Sequence, residues 1–317
     1  MFLTLASCLR RVFGVAAAAA LLWMTPFVAA EEKLSEPIYR VATETPAAES
    51  PAATQPATSA NPSATTPAAP AAADAAKTVF DLTPKPGEHP LAPVLRTLKA
   101  TQDVIDGSVH DYCCNLVKQE RVDGELGDKQ YILMKVMHQP FSVYMSFVKP
   151  YAGREVLYVN GQNEGKMVVL EAGFTRMLGK LNLDPQGTRA MSGQKHPITD
   201  VGIRNLTTKL TKMWDGETHF AECVVTSNAG AKINDRTTTM IQVVHPIARQ
   251  DFRFHVARLF LDNELKIPIH FDAYLWPEQD GGEPPLDECY TYMSLKINNG
   301  YTAREFDATN NPNIFKK

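Results

Sequence analysis

The stretch from Tyr131 to Glu171 constrains the fold of this 317-residue chain more than any other part of the sequence. It contains several runs rich in β-branched and aromatic residues, which favour strands. Because side chains alternate across a strand, residues two apart share a face. Phe141, Val143, Met145 and Phe147 therefore share one apolar face. The pattern predicts a meander of long antiparallel strands that is apolar on one side.

Turn and strand signals continue on both sides of this meander. Asn160–Gly165 is rich in Asn and Gly, which supply the positive φ angles of a hairpin turn between Val156–Val159 and Met167–Leu170. Further strands are predicted at 111–121, 219–226, 236–245, 252–261, 267–276 and 289–298, and a hairpin loop at 123–128. Phe252 and Phe254 alternate with polar residues and are expected on the apolar face of their strand.

Two segments have helical spacing instead. Apolar residues recur every three or four positions over 90–106, with Pro90 near the first turn, and again over 201–214. Asp200 is expected to cap the second helix. The stretch between the meander and the second helix, 172–199, has no regular period and mixes Pro and Gly with apolar residues.

The first 30 residues predict a secretory signal peptide. Arg10 and Arg11 precede the apolar run Val12–Val28, and the small residues up to Ala30 suit cleavage. Cys8 ends a lipobox-like sequence, but it precedes the apolar run and is expected to leave with the signal. Whether the segment is cleaved or kept as an anchor stays open, and the predicted location is periplasmic or otherwise extracytoplasmic.

Composition divides the remainder into a linker and one domain. Residues 43–78 are almost entirely Ala, Pro, Thr and Ser and contain no aromatic residue. Such a segment cannot bury enough apolar surface to offset the entropy of ordering it. The prediction is a disordered linker over 31–80 and a single folded domain over 81–317, which is long enough to build its own core.

Four cysteines follow the predicted signal: Cys113, Cys114, Cys223 and Cys289. An even number in an exported chain permits two disulfides in three connectivities. Cys113 and Cys114 point to opposite faces if they lie on a strand, so at most one bridge across the sheet is expected. Buried structural thiols are the slightly favoured alternative.

Motifs that carry chemistry are absent from the sequence. Ser192-Gly193-Gln194-Lys195 matches the Ser-x-x-Lys of penicillin-binding enzymes, but the accompanying Lys-Thr-Gly strand is missing. The histidines show no ligand spacing, and His255 and His270 are expected to be structural even if they meet. Nothing predicts a catalytic site, metal or cofactor. With a formal net charge of −3 and no basic patch interleaved with aromatics, nucleic acid is not an expected partner.

The order of elements resembles a known superfamily. An N-terminal helix, a long meander, a helical insertion and further strands are together similar to the LolA/LolB-like lipoprotein carriers, and most similar to an uncharacterised exported bacterial family with that fold. The resemblance covers roughly residues 90–310. It rests on the motifs Lys118-Gln119-Glu120-Arg121, Gln139-Pro140-Phe141-Ser142-Val143-Tyr144, Arg154-Glu155-Val156-Leu157-Tyr158-Val159-Asn160-Gly161 and His196-Pro197-Ile198-Thr199-Asp200-Val201-Gly202-Ile203.

The resemblance implies an α+β, mainly antiparallel fold: an incompletely closed β-barrel, or curved sheet, with a helical lid over an apolar cavity for acyl chains. The groove candidates are Phe141, Val143, Met145, Phe147, Phe252 and Phe254. The lid candidates are Leu178, Leu181, Met191, Ile203 and Leu206. The carrier latches its lid with an Arg at the position of Gln139 here, so no latch residue is assigned.

The expected function is therefore non-enzymatic binding of a lipid, an acylated protein or another amphiphile in a hydrophobic groove. Met134, Met137, Met145 and Met167 suit an adaptable apolar surface, or simply fill a core. Expected partners are a lipid or acylated protein, with an envelope protein partner and transient membrane contact as further options. The alternative function is an envelope protein-interaction or stress-sensor domain on the same fold.

Overall fold

The computed structural model describes residues 37–40, 79–220, 222–279 and 281–315. The predicted signal peptide and most of the predicted linker lie outside these residues. In the part of the chain that is described, no helix is both long enough and apolar enough to cross a membrane.

The described residues form one antiparallel sheet. Its strands are β1 (Tyr39–Arg40), β2 (Asp111–Val122), β3 (Glu125–Leu126), β4 (Gln130–His138), β5 (Phe141–Lys149), β6 (Glu155–Val159), β7 (Met167–Leu170), β8 (Lys180–Leu183), β9 (Val224–Ile233), β10 (Arg236–Val244), β11 (Val256–Asp262), β12 (Pro268–Tyr274) and β13 (Leu286–Ile297). They pair in the order β1-β9-β10-β11-β12-β13-β2-β4-β5-β6-β7-β8, and β3 pairs only with β2. The sheet is curved and its two end strands, β1 and β8, do not pair, which confirms the predicted fold class.

Within the described residues, three α-helices accompany the sheet: α1 (Ala92–Ser108), α2 (Thr188–Met191) and α3 (Ile203–Glu217). Short 3₁₀ turns occupy Asn163–Gly165, Gly173–Leu178, Ile198–Asp200 and Ala303–Phe306. Helix α1 begins two residues later than predicted, with Pro93 rather than Pro90 in its first turn. Positive φ angles at Gly161, Asn163, Glu164 and Gly165 confirm the hairpin turn between β6 and β7.

The predicted cap of α3 is wrong. Asp200 belongs to a separate 3₁₀ turn, and its carboxylate pairs with Lys209 at 2.7 Å. The N-cap residue is Gly202, whose φ of 106° a glycine adopts readily. The Ile203 N–H, which would otherwise lack a partner, donates to the buried Tyr112 hydroxyl at 3.1 Å.

Strand boundaries differ most in the second half of the sheet. β9 covers 224–233 rather than 219–226, and β11 begins at Val256 rather than at Phe252. Phe252 and Phe254 lie in the connection before β11, yet both are buried. Phe252 stacks on His245 with ring centroids 4.1 Å apart. Alternating burial therefore occurs here without strand pairing, which explains the wrong boundary.

The sheet also extends beyond the predicted start of the domain. Tyr39 and Arg40 lie within the stretch predicted as linker, but they pair with Ile233 and Lys232 of β9. The Tyr39 hydroxyl lies 3.1 Å from the Thr291 hydroxyl, and its ring lies 4.7 Å from that of His270. These residues precede the Ala/Pro/Thr-rich run, and their aromatic character fits sheet pairing.

Apolar residues cover both faces of the sheet. On the inner face, α1 and α3 pack against two adjoining clusters, one on β2 and β4–β7 and one on β10–β12. On the outer face of β5–β7, the C-terminal residues Phe306, Ile314 and Phe315 pack against Tyr144 and Leu157. The inner face is therefore the one that the helices enclose.

Candidate functional site

A cavity of about 690 Å³ lies between the inner face of the sheet and the connection from β8 to α3. We call that connection, residues 184–202, the covering segment. The lining residues from the sheet and its loops include Leu116, Met145, Phe147, Val156, Met167, Val169, Leu183, Phe254, Phe271, Tyr290 and Tyr292. The volume falls within the range of about 300–1,000 Å³ that is typical of small-molecule sites.

The period-two pattern of the strands builds the sheet wall. Met145 and Phe147 are two apart on β5, and Met167 and Val169 are two apart on β7, so each pair points to the same side. Val156 of β6 pairs with both Met145 and Val169. Three adjacent strands therefore present a continuous apolar surface to the cavity.

Helix α3 supplies the opposite wall. Leu206, Leu210 and Met213 are spaced by four and three residues, which places them on one side of the helix. All three line the cavity. Leu206 also packs against both inner clusters, so the helix joins them across the cavity.

The covering segment is fixed to the sheet by polar contacts at one end of the cavity. We call this group the polar cluster: Lys118, Glu120, Gln194, Lys195, His196, Asp287, Glu288 and Tyr290. Lys195 Nζ lies 2.5 Å from Asp287 Oδ1, and His196 Nε2 lies 2.7 Å from Glu288 Oε2. Lys118 Nζ donates to both Glu120 Oε2 (3.0 Å) and Gln194 Oε1 (2.6 Å).

Two acids of the polar cluster, Glu120 and Glu288, are buried and ionised. Burial alone favours their neutral forms, but Lys118 and the Lys195 N–H hold the pKa of Glu120 below its ordinary value. In the same way, His196 and Arg253 outweigh burial and hold the pKa of Glu288 low. Burial, and then these carboxylates, raise the pKa of Tyr290 well above its usual range. Tyr290 therefore stays neutral and donates to Glu120 Oε1 at 2.7 Å.

The remaining charges on the cavity wall leave an excess of basic groups. Four lining cations pair with lining carboxylates: Lys118 with Glu120, Arg154 with Glu171, Lys209 with Asp200 and Arg253 with Glu288. Two further lining cations, Arg189 and Lys212, are exposed and form no ion pair with any described residue. These two cations could pair with the acidic head group of a ligand in the cavity.

Some of the predicted candidates line this cavity and others do not. Of the groove candidates, Met145, Phe147 and Phe254 contribute to the lining. Val143 is fully buried in the inner core, Phe141 packs beside Tyr158, and Phe252 lies against His245.

Of the lid candidates, only Leu206 lines the cavity. Ile203 is buried in the inner core, whereas Leu181 and Met191 are half-buried outside the lining. Leu178 is 65% exposed on the turn before β8. Gln139 is exposed in the turn between β4 and β5.

The polar cluster was not predicted from the sequence, although a signal exists for two of its eight members. Lys118 and Glu120 are in phase with the inward-facing Cys114 and Leu116 on β2, so alternation alone points their charges into the domain. Their partners in the covering segment, Gln194 and Lys195, lie in a stretch without a regular period. Nothing local in the sequence indicates which strand they approach.

The remaining candidates for chemistry have structural partners. All four described cysteines are free thiols, which agrees with the favoured expectation rather than with a bridge. His255 Nδ1 lies 2.8 Å from the His245 carbonyl, whereas His270 lies between Thr291 and Asp272. In the described part of the chain, no group of three or more His, Cys, Asp or Glu side chains could hold a metal ion.

Several solved structures are similar to this chain over about two thirds of its length. LppX, a Mycobacterium tuberculosis lipoprotein, matches with 14% identity and a TM-score of 0.39, covering 68% of this chain and 98% of its own. The Pseudomonas aeruginosa MucA/MucB complex matches with 12% identity and a TM-score of 0.40, covering 68% and 61%. A LolA superfamily protein from Nitrosomonas europaea matches with 8% identity and a TM-score of 0.25, covering 67% and 97%.

No curated protein matches the sequence significantly. A family model described as "Protein of unknown function (DUF1571)" matches residues 109–315, which is more than half of the chain. The matched residues begin just before β2 and include the cavity, the covering segment and the polar cluster. The chain therefore belongs to the DUF1571 family.

Proposed function

We propose that this protein is a non-enzymatic binding or carrier protein that holds an amphiphile, such as a lipid or the acyl chain of a lipoprotein, in its inner cavity. The observation that carries the proposal is the cavity of about 690 Å³ walled by apolar side chains of β5–β7 and α3. Burying apolar surface there contributes about 25 cal/mol per Å². Apolar walls combined with polar groups that fix the orientation of the ligand are the usual form of a small-molecule site.

The acidic head group of a fatty acid makes it the natural first probe. Arg189 and Lys212 line the cavity without ion-pair partners among the described residues, and a carboxylate would complement them. A fluorescent fatty acid reports uptake directly. Mass spectrometry of lipid extracted from the freshly purified protein identifies any amphiphile that already fills the cavity.

A cavity-filling substitution tests the proposal without removing core contacts. Ala190 lies on α2, is half-buried and lines the cavity, so Ala190→Trp places a large ring in the space that a ligand would use. We expect this variant to lose at least tenfold in probe affinity, about 1.4 kcal/mol, while its thermal midpoint stays close to that of the wild type.

Two residues of β5 make a matched pair of truncations. Phe147 lines the cavity, so Phe147→Ala should lower probe affinity by roughly tenfold with only a modest loss of stability. Val143 lies on the same strand and face but outside the lining, and it is fully buried. Val143→Ala should cost about 1–3 kcal/mol of stability and leave affinity unchanged.

The outcome that would overturn the proposal is specific. If the folded wild type takes up no fatty acid, releases no lipid on extraction, and Phe147→Ala destabilises it like a sealed-core substitution, then the cavity is not a binding site. The envelope protein-interaction or stress-sensor domain would then become the leading function.

Export to the periplasm forms part of the same proposal. The basic residues Arg10 and Arg11, the apolar run and the small residues before Glu31 support it. N-terminal sequencing of the protein from the envelope fraction should begin at Glu31. A form retained in the cytoplasm, or a lipid-modified Cys8, would contradict this expectation.

A further inference from the structure

The turn between β7 and β8 carries three of the most exposed large apolar side chains in the described part of the chain. Phe174 is 85% exposed, Met177 79% and Leu178 65%, and all three belong to the turn Gly173–Leu178. Single exposed apolar residues are ordinary on protein surfaces, whereas several together mark a contact surface. This turn therefore has the features of a contact surface.

A second turn lies beside it and adds an amphipathic aromatic residue. The Arg176 guanidinium donates to the Gly153 carbonyl at 2.6 Å, which joins the turn between β5 and β6 to the first turn. Tyr151 of this second turn is 38% exposed, and the Arg154 guanidinium lies 4.4 Å from its ring centroid. Tyrosine, with an apolar ring and a polar hydroxyl, suits an interface between lipid and water.

The charges around the two turns are basic. Residues 149–154 and 172–180 contain Lys149, Arg154, Arg176 and Lys180 but no Asp or Glu. The neighbouring carboxylates Glu155 and Glu171 pair with Arg176 and Arg154. Lys149 and Lys180 form no ion pair with any described residue, so the surface carries an excess of positive charge. Apolar side chains flanked by Lys and Arg complement an anionic lipid surface.

We propose that these two turns form a docking tip, consisting of Tyr151, Phe174, Met177 and Leu178, that inserts into the surface of a membrane containing anionic lipid. A stable protein interface uses about 20–30 residues a side, far more than two short turns present, so a lipid surface fits better than a protein partner.

The docking tip borders the cavity. Arg154 and Glu171, which flank the two turns, both line it, and so does Leu183 at the end of β8. Because β8 is an end strand of the sheet, the docking tip also lies at an open edge. A membrane that contacts the docking tip is therefore adjacent to the cavity wall, which is the arrangement that lipid entry or release requires.

The test measures binding of the processed full chain to vesicles of phosphatidylcholine alone and of phosphatidylcholine mixed with phosphatidylglycerol. We expect the wild type to bind the mixed vesicles more tightly. The triple variant Phe174→Ser/Met177→Ser/Leu178→Ser should lose at least tenfold in vesicle affinity. Its fatty-acid uptake and thermal midpoint should stay unchanged, because the three side chains are exposed and lie outside the cavity lining.

A matched control removes three exposed apolar residues elsewhere. Leu133→Ser/Val224→Ser/Ile247→Ser changes side chains that are 48%, 53% and 53% exposed and should bind vesicles like the wild type. All variants keep the same N-terminus, so any contribution from that segment cancels. Lys149→Gln/Lys180→Gln should weaken binding to the mixed vesicles by roughly fivefold per lysine, with no effect on neutral vesicles.

A spectroscopic variant makes the test independent of lost stability. The tryptophan emission of Phe174→Trp should shift to the blue when mixed vesicles are added. It should not shift when the protein concentration is raised without vesicles. The proposal is overturned if the wild type does not bind mixed vesicles, or if the triple variant binds them as tightly as the wild type. It is also overturned if the triple variant loses only self-association, which would assign the docking tip to a protein contact. Fatty-acid uptake, measured separately, decides the proposed function whichever way this result falls.

Discussion

His196 and Glu288 join the covering segment to the sheet, with Nε2 of the histidine 2.7 Å from Oε2 of the carboxylate. The residue before each of them forms a second contact, in which Lys195 Nζ lies 2.5 Å from Asp287 Oδ1. Both carboxylate side chains are at most 5% exposed. Two consecutive residues of the covering segment thus bond to two consecutive residues of β13. This end of the segment can lift only by exposing two buried acids without their partners.

Removing Lys195 should loosen the covering segment. Lys195→Met leaves the Asp287 carboxylate buried without its cation, and breaking such a pair typically costs about 3–5 kcal/mol. Because Lys195 is 19% exposed and water reaches it, we expect about 2–3 kcal/mol by urea denaturation. Hydrogen exchange over 192–197 and the rate of probe release should both rise.

A surface pair is the control for this prediction. Lys99 lies 3.8 Å from Asp103, with side chains 78% and 69% exposed, so Lys99→Met should change stability little. A second change, Asp287→Leu, should recover stability in the Lys195→Met background because it removes the stranded acid. If Lys195→Met exchanges over 192–197 like the wild type, other contacts hold the segment.

Acid should release the same end of the covering segment. Because the pKa of Glu288 is held below its ordinary value of 4.5, the stability it contributes is present above that pH and is lost as pH falls through the folded pKa. We expect the protection factors for hydrogen exchange over 192–197, which compare the measured rate with the intrinsic rate at the same pH, to fall as pH drops below about 4.5. Glu288→Gln should be less stable than the wild type at pH 6, and the difference should narrow at lower pH. An equal difference at both pH values would contradict the prediction.

Alternation along strands accounts for what could be predicted of the sheet and of one cavity wall. Alternation over Phe141–Phe147 predicts that Met145 and Phe147 share a face, and that face is the one that packs toward the helices. Alternation does not predict whether a residue on the inner face meets another side chain or the cavity. Val143 has the same phase as its neighbours, yet it meets sealed core rather than the cavity.

The polar cluster and the α3 cap depend on contacts that are distant in sequence. Lys195 meets Asp287 across 92 residues, and the Ile203 N–H meets the Tyr112 hydroxyl across 91. Neither partner has a local pattern that indicates the other. Leu178, a lid candidate implied by the resemblance, is 65% exposed and lies outside the cavity lining. Local pattern predicts elements and faces, whereas the closure of the cavity depends on the tertiary fold.

A buried acid at the end of α3 should make the domain less stable as pH rises. Burial raises the pKa of Glu217 to about 7, and its Oε2 lies 3.4 Å from His245 Nε2. His245 Nδ1 lies 3.1 Å from the Phe254 carbonyl and donates to it, so Nε2 of the neutral ring carries no proton. Neither this Nε2 nor Glu217 Oε2 has a hydrogen-bond partner among the described residues, so nothing there offsets the cost of burying an ionised Glu217. A raised carboxyl pKa means that the folded state holds the proton, so stability falls as pH rises from about 4.5 to about 7.

Glu217→Gln should remove this dependence, because the amide cannot ionise and can donate to His245. We expect the variant to gain on the order of 2 kcal/mol at pH 8 and little at pH 4.5, measured by urea denaturation. Burial lowers the pKa of His245 in both proteins, so the difference between them isolates Glu217. A variant that gains nothing at pH 8 would show that Glu217 is ionised without penalty.

The outer face of the sheet should contribute to stability but not to uptake. Phe306 is 2% exposed and packs with Leu157 and Phe315 on the outer side of β5–β7, away from the cavity lining. Phe306→Ala should cost about 3–5 kcal/mol, because it removes a buried ring and leaves a cavity. At temperatures where the variant is still folded, its affinity for the fatty-acid probe should equal that of the wild type. Phe147→Ala should give the opposite result, with lower affinity and a smaller loss of stability, because its ring lines a space that a ligand fills. If both substitutions change stability and affinity in the same proportion, the two faces of β5 do not have separate roles and the inner cavity is ordinary core.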